Sequence, residues 1–242
     1  MNTFADSVTT ALALILSGDA GLWSIVLRSL AVSVTATAIA YVSGLVLGSW
    51  LAAVRFRGRG AVLTLLNTAL AVPAVVVGLV VYLLLSRSGP FGFLGWLFSF
   101  QAMVIAQAVL VLPLVTALVR QVVEDAEHGH GEQLRSMGAG TLTRSLLLAW
   151  DERYALLTIF ITAFGRAISE VGAVMIVGGN IEGFTRVMTT AIALETSKGD
   201  LPLALGLGVV LLSVVLLLNA LVSVVRRWRE REDGLVPVGV PA

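Results

Sequence analysis

Five stretches of this 242-residue chain are apolar over enough consecutive positions to cross a lipid bilayer, and nothing else constrains its fold as strongly. A helix needs about 20 mainly apolar residues to span the hydrocarbon core. The stretches run from near Ile25 to Val54, Ala61 to Leu85, Phe100 to Val119, Tyr154 to Val177 and Leu201 to Val225. In lipid only helices and closed barrels satisfy the backbone internally, and no barrel-like alternation is present, so helices are expected. Composition agrees: 57% of residues are hydrophobic and 13% charged, against about 45–50% and 25% in soluble domains. One soluble core cannot hide that excess, and exposing it to water leads to aggregation. The expected fold is all-α, a polytopic bundle of five core transmembrane helices in the cell membrane. Phe4–Leu16 is apolar but too short to span, and reads as an N-terminal interfacial helix.

Other classes drop out quickly. A net charge of +1 gives no bulk attraction for nucleic acid. With no cysteine there is no disulfide framework, thiol catalyst or cysteine metal site. No Lys or Arg precedes the apolar Phe4–Ser17 stretch, so it does not read as a secretory signal. His128 and His130 form an H-x-H pair without a third ligand nearby, so no metal site is expected.

The basic residues set an orientation. Arg55, Arg57 and Arg59 follow the first span. Arg120, Arg135, Arg144 and Arg153 lie between the third and fourth, and Arg226, Arg227, Arg229 and Arg231 follow the fifth. With five spans these three places share one side, while the other side holds only Arg28, Arg87, Arg186 and Lys198. By the positive-inside rule the richer side is cytoplasmic, with the N-terminus outside and the C-terminus inside. The resulting division is an interfacial segment over 1–24, a transmembrane domain over 25–226 and a cytoplasmic tail over 227–242. Pro73 and Pro113 are expected to bend the second and third spans or open their hydrogen-bond ladders. Gly44 and Gly48 form a GxxxG on the first span, and Ala102 and Ala106 a small-xxx-small pair on the third. Both patterns permit close helix approach.

The longest polar segment, Glu124–Asp151, falls on the cytoplasmic side. It reads as a short helix, a glycine turn at Gly138 and Gly140, and a second helix capped by Thr141 and running through Leu146–Leu148. Leu134 and Met137 make an apolar knob beside Glu132 and Arg135. A helix of that kind, parallel to the membrane, suits docking into a partner's groove; an ordinary connecting loop is the alternative. Glu124, Asp125 and Glu127 read as a solvated acidic run.

Here the chain resembles a known family. Glu132-Gln133-Leu134, then Arg135-Ser136-Met137, then Gly138, with Leu148-Ala149-Trp150-Asp151 nine residues on, resembles the EAA loop of ABC importer permeases (E-A-A, three residues, G, nine residues, I-x-L-P). Gln133 and Leu134 replace the two alanines, and Asp151 stands in place of the proline. Arg166-Ala167-Ile168-Ser169-Glu170-Val171-Gly172-Ala173, followed by Gly178-Gly179-Asn180, is similar to the R-x-x-x-E-x-G-A and G-N elements of sulfate, molybdate and tungstate permeases. The run Glu195–Asp200 looks most like the tungstate branch. The likeness covers about Leu22 to Arg227.

The resemblance implies the transmembrane subunit of an ABC importer for an oxyanion, tungstate first and molybdate or sulfate as alternatives. It implies a homodimer and alternating access. It also implies a separate ATPase dimer docked on Glu132, Gln133, Leu134, Arg135, Met137 and Gly138, and an extracytoplasmic binding protein meeting an outer helix around Thr185–Thr190. The residues agree that this chain holds no nucleotide motor. A P-loop needs G-x-x-x-x-G-K-[ST], and the only lysine, Lys198, lacks that context. No catalytic residue or cofactor is assigned to the chain, and ATP with its magnesium falls to the partner.

The costliest residues in the spans are Arg166 and Glu170, since a lone charge at mid-bilayer costs about 2.5–3.5 kcal/mol on insertion scales. At i, i+4 they share a helix face and pair. Arg before Glu is the weaker order in one helix, because each charge faces away from its favoured end. Either Arg166 lines the path and attracts an oxyanion, or the pair orients the span within a dimer. Asn67, Thr68, Gln101, Gln107 and Ser169 are further candidates for the path, with interhelical hydrogen bonding as the alternative. Gly178, Gly179 and Asn180 form a candidate outer gate or a plain turn. A self-contained secondary transporter or channel, and a membrane scaffold, are the rival classes; inverted repeats would favour the former.

Overall fold

The computed structural model describes residues 4–138, 140, 147–148 and 150–232. All regular structure among them is helical: α1 (Phe4–Leu16), α2 (Ala20–Ala53), α3 (Arg59–Ala71), α4 (Ala74–Leu85), a 3-10 turn at Gly92–Leu94, α5 (Phe100–Ser136), α6 (Arg153–Ile168), α7 (Gly172–Gly178), α8 (Met188–Lys198) and α9 (Leu201–Glu232). Three helical segments are each long and apolar enough to cross a membrane: Ala20–Ala53, Phe100–Gly129 and Leu201–Val225. The count rises to five if each of two bent pairs is one span, α3 with α4 and α6 with α7. The chain is a multi-pass membrane protein.

The first bent pair goes beyond the kink expected at Pro73. α3 and α4 meet at 101°. Val72 is extended (φ −64°, ψ 128°), as a residue before proline prefers, and the Pro73 carbonyl opens the next helix by accepting from Val76 and Val77. At 1.5 Å per residue the arms are only about 20 and 18 Å long, so neither crosses alone.

Pro113, unlike Pro73, lies inside a helix that continues past it, where it removes one bond from the α5 ladder. The next turn of α5 is pressed against α2. A Cβ on Gly44 would stand 2.6 Å from Val115 Cγ1, and one on Gly48 2.8 Å from the Thr116 carbonyl oxygen. The GxxxG therefore brings the two helices together in the turns that follow the proline.

α5 also runs further than the expected third span. Residues 132–136 continue its axis rather than forming a separate helix along the membrane surface. Their flanking glycines, Gly129 and Gly131, each cost about 1 kcal/mol in a helix, too little to end it. Gly138 (φ 80°) supplies the left-handed turn beyond its end.

α1 closes one end of the bundle. Its Ser7 and Ala11 are buried, and it packs on α9. Asp19 joins it to α2, with its side chain accepting from Leu22 N at 2.8 Å as an N-cap. At 13 residues, α1 reaches about 20 Å, short of a bilayer crossing. The core divides into three apolar clusters, around Met103 and Val177, around Val115 and Ile159, and around Leu22 and Leu207.

Candidate functional site

The fourth span is broken where the sequence suggested a continuous helix. α6 ends at Ile168, α7 begins at Gly172, and their axes differ by 58°. The break is built by side chains. Glu170 Oε1 accepts from Gly172 N at 3.0 Å and from Ala173 N at 3.5 Å, starting the second helix. Glu170 Oε2 accepts from Arg166 Nη1 at 2.7 Å, at the end of the first. The freed carbonyls also find partners. Gln107 Nε2 on α5 donates to the Ala167 carbonyl at 3.0 Å, and Thr189 Oγ1 on α8 donates to the Glu170 carbonyl at 2.7 Å. An interrupted helix at membrane depth survives only when its backbone groups are re-satisfied in this way.

The break changes the electrostatics of the pair. Within one helix, Arg before Glu opposes the dipole. Here Arg166 occupies the last turn of α6 and Glu170 immediately precedes α7, so each charge sits at the helix end that favours it. Glu170 is buried, with 5% of its side chain exposed, whereas Arg166 remains 47% exposed. One turn in either direction the same face carries Thr162 and Ser169, both exposed, with their hydroxyls donating to Thr158 and Gly165 carbonyls. The chain thus presents one guanidinium, partly neutralised from below, on a polar strip of an otherwise apolar span. Such a group offers two or more N–H donors to an oxyanion without a second fixed positive charge beside it.

The other expected path residues are distributed less favourably. Gln107 is buried and committed to Ala167, so it supports the break instead of facing a path. Gln101 lies at the start of α5 and is exposed. Asn67 and Thr68 are exposed on α3, which packs chiefly on α5, and the structure does not bring them to Arg166.

Gly178-Gly179-Asn180 does form a turn, with Gly179 and Asn180 left-handed (φ 70° and 51°). It is tightly tied. A Cβ on Gly178 would lie 2.9 Å from Met103 Sδ, Asn180 Nδ2 donates to the Thr190 carbonyl at 3.2 Å, and Thr185 Oγ1 donates to the Gly178 carbonyl.

Thr185–Thr190 is entirely buried, so it offers no face to a partner; the exposed part of this loop is 181–184, tipped by Phe184. Two features here were not anticipated from sequence. Arg28 on α2 donates to the Gly183 and Arg186 carbonyls at 2.7 and 3.2 Å. Arg186 and Glu195, both buried, pair at 3.5 Å, and Lys198 adds a 3.0 Å contact to the same Glu195 oxygen. Lys198 and Glu195 share a helical i, i+3 spacing, but the Arg28 contacts and the Arg186–Glu195 pair follow no helical or strand period, so no local pattern signals those.

On the opposite side, the side chains of Glu132, Gln133, Leu134 and Arg135 lie outside the described residues, as do Thr141 through Leu146. Met137 is exposed, 66% accessible, just past the end of α5. Glu124 departs from the expected solvated run: it is three-quarters buried and paired with both Arg59 and Arg120.

Comparison with known proteins places this arrangement. Residues 44–232 match the family described as "binding-protein-dependent transport system inner membrane component". The chain is 41% identical over 222 residues to the tungstate uptake system permease protein TupB of Peptoclostridium acidaminophilum, covering 92% of this chain and 97% of that protein. It is 39% identical over 216 residues to a probable anion ABC transporter permease of Haloferax volcanii, covering 87% and 92%. The molybdenum transport permease ModB of Escherichia coli is more distant, 31% identical over 196 residues, covering 74% and 82%. The chain belongs to the binding-protein-dependent transport inner-membrane family, the transmembrane subunits of ABC importers.

Proposed function

We propose that this chain is the membrane permease of a tungstate importer, driven by a separate ATPase and loaded by an extracytoplasmic anion-binding protein. Its similarity to tungstate uptake permeases exceeds its similarity to molybdate and sulfate ones. Two copies enclose the path between them, with the N-terminus outside and the C-terminus inside, as the arginine distribution favours. The end of α5 and the turn after it, from Glu132 to Gly138, dock into the ATPase. Closure of the ATPases on nucleotide opens the path outward, and hydrolysis resets it.

The observation that carries the path is the half-exposed Arg166 at the break of the fourth span. A bare arginine facing a dianion would hold it; one already sharing its charge with Glu170 attracts the anion and lets it go. Conduction needs binding strong enough to admit an ion and weak enough to release it. Ser169 and Thr162 extend the strip with hydroxyls. Arg166→Ala in the assembled transporter is expected to cut uptake of labelled tungstate by about tenfold or more, the order of a lost charge-assisted contact, with complex yield unchanged. Normal uptake with normal assembly removes Arg166 from the path.

A further inference from the structure

Among the described helices α3 stands out: none of its residues is buried, so apolar packing does little to hold it. Its start is held by charge. Arg59, its first residue, donates Nε to the Leu51 carbonyl at 3.1 Å, in the last turn of α2, and Nη2 to Glu124 Oε1 on α5. The other Glu124 oxygen takes Arg120 Nη1, one turn earlier on α5. All three side chains are about three-quarters buried. One carboxylate therefore ties the end of α2 and the start of α3 to α5, and puts a negative charge at an N-terminus that has no side-chain cap of its own.

The location of this tie gives it a use. Glu124 lies twelve residues before the end of α5 at Ser136, about 18 Å of unbroken helix. The residues at that end are those proposed to dock on the ATPase. In the other direction α3 leads through the Pro73 bend into α4, and α4 packs closely on α7. A Cβ on Gly78 would stand 2.8 Å from Ala173 Cα, and one on Gly172 2.9 Å from Val75 Cγ2. The first residue of α7, Gly172, donates to the Glu170 carboxylate that also holds Arg166. Between the end of α5 and α7 the series runs through helix, the covalent bend at Pro73 and close packing of α4 on α7, and the Glu124 tie is its charged side-chain joint.

We propose that Glu124 is a positioning residue for energy coupling: it transmits displacement of the α5 end to α3, and through α4 and α7 to the break that carries Arg166. The proposal rests on the ATPase-driven reading above. A carboxylate suits the task because it accepts from two guanidinium groups at once, through charge-assisted bonds. Glu124→Gln keeps the shape and one acceptor but leaves two arginines without their shared counter-charge.

The test uses the full transporter, permease with its ATPase and binding protein, in liposomes with tungstate. With Glu124→Gln, ATP hydrolysis is expected to stay within about twofold while uptake falls at least about tenfold, the order of a lost charge-assisted contact, so that ATP consumed per anion rises at least about fivefold. Arg59→Gln cuts the same tie from the α3 side and is expected to raise the ratio likewise, whereas Arg59→Lys, which keeps a cation beside Glu124, restores it. A residue needed only for folding lowers complex yield without moving this ratio. An unchanged ratio in both Glu124→Gln and Arg59→Gln, or proportional loss of hydrolysis and uptake, overturns the proposal. Absence of any ATP-dependent uptake by the unmutated transporter instead overturns the reading on which it rests.

Discussion

Arg166 and Glu170 are joined at 2.7 Å across an interruption in their own span, one closing α6 and the other opening α7. The interruption resolves the conflict of an arginine preceding a glutamate by one helical turn, since both charges then face favourable helix ends. Glu170 thus has two separable tasks, one for each oxygen. Glu170→Gln retains an acceptor for Gly172 and Ala173 and loses the charge; Glu170→Ala loses both. The alanine variant is expected to cost about 1 kcal/mol more than the glutamine variant, the typical net worth of a hydrogen bond. Thermal unfolding of both in detergent measures this, and equal losses would assign the whole effect to the charge.

Gln107 and Thr189 tie the break to neighbouring helices by donating to the Ala167 and Glu170 carbonyls. Gln107→Leu and Thr189→Val are each expected to destabilise the chain by about 0.6–1.7 kcal/mol, the range for interhelical hydrogen bonds in membranes. Denaturant titration in detergent provides the check. The Ala167 carbonyl also accepts from Glu170 N at 3.1 Å, so a Gln107→Leu variant as stable as the unmutated chain would mean that the Gln107 bond adds nothing to it.

Two glycines in helices predict opposite signs. Gly48 faces the backbone and side chains of α5 at a distance no real Cβ adopts, whereas a Cβ on Gly129 meets nothing within 4 Å. Gly48→Ala is expected to destabilise by about 1–3 kcal/mol through overpacking. Gly129→Ala is expected to stabilise α5 by up to about 1 kcal/mol through helix propensity. Paired melting curves decide both.

Much of this was legible from residue order, because the bilayer imposes simple demands. Long apolar runs reported the helices, the i, i+4 spacing reported the Arg166–Glu170 pair, and Gly179-Asn180 reported a turn. Proline was a poorer guide. Pro73 turned a span by about a right angle where α3 on one side of it has no buried residue, and Pro113 lies inside a continuous α5 where Gly44 and Gly48 press against it. Local sequence carries the proline but not the packing that decides its effect. The break at Glu170 was missed because no helix breaker marks it; the signal is a carboxylate two residues before Gly172, which reads as a cap only once Gln107 and Thr189 are seen to receive the loose ends. Of the two partners of Glu124, Arg120 stands one helical turn away and was legible, but Arg59 is 65 positions away and was not.

The most direct test of the central claim, that this permease conducts only when driven by an ATPase partner, is uptake of labelled tungstate into liposomes. One set carries this chain alone, and the other carries it with its ATPase and binding protein, with ATP available to the nucleotide-binding side. Accumulation against a gradient in the second set alone is the predicted result. Accumulation by the chain alone, without nucleotide, contradicts it.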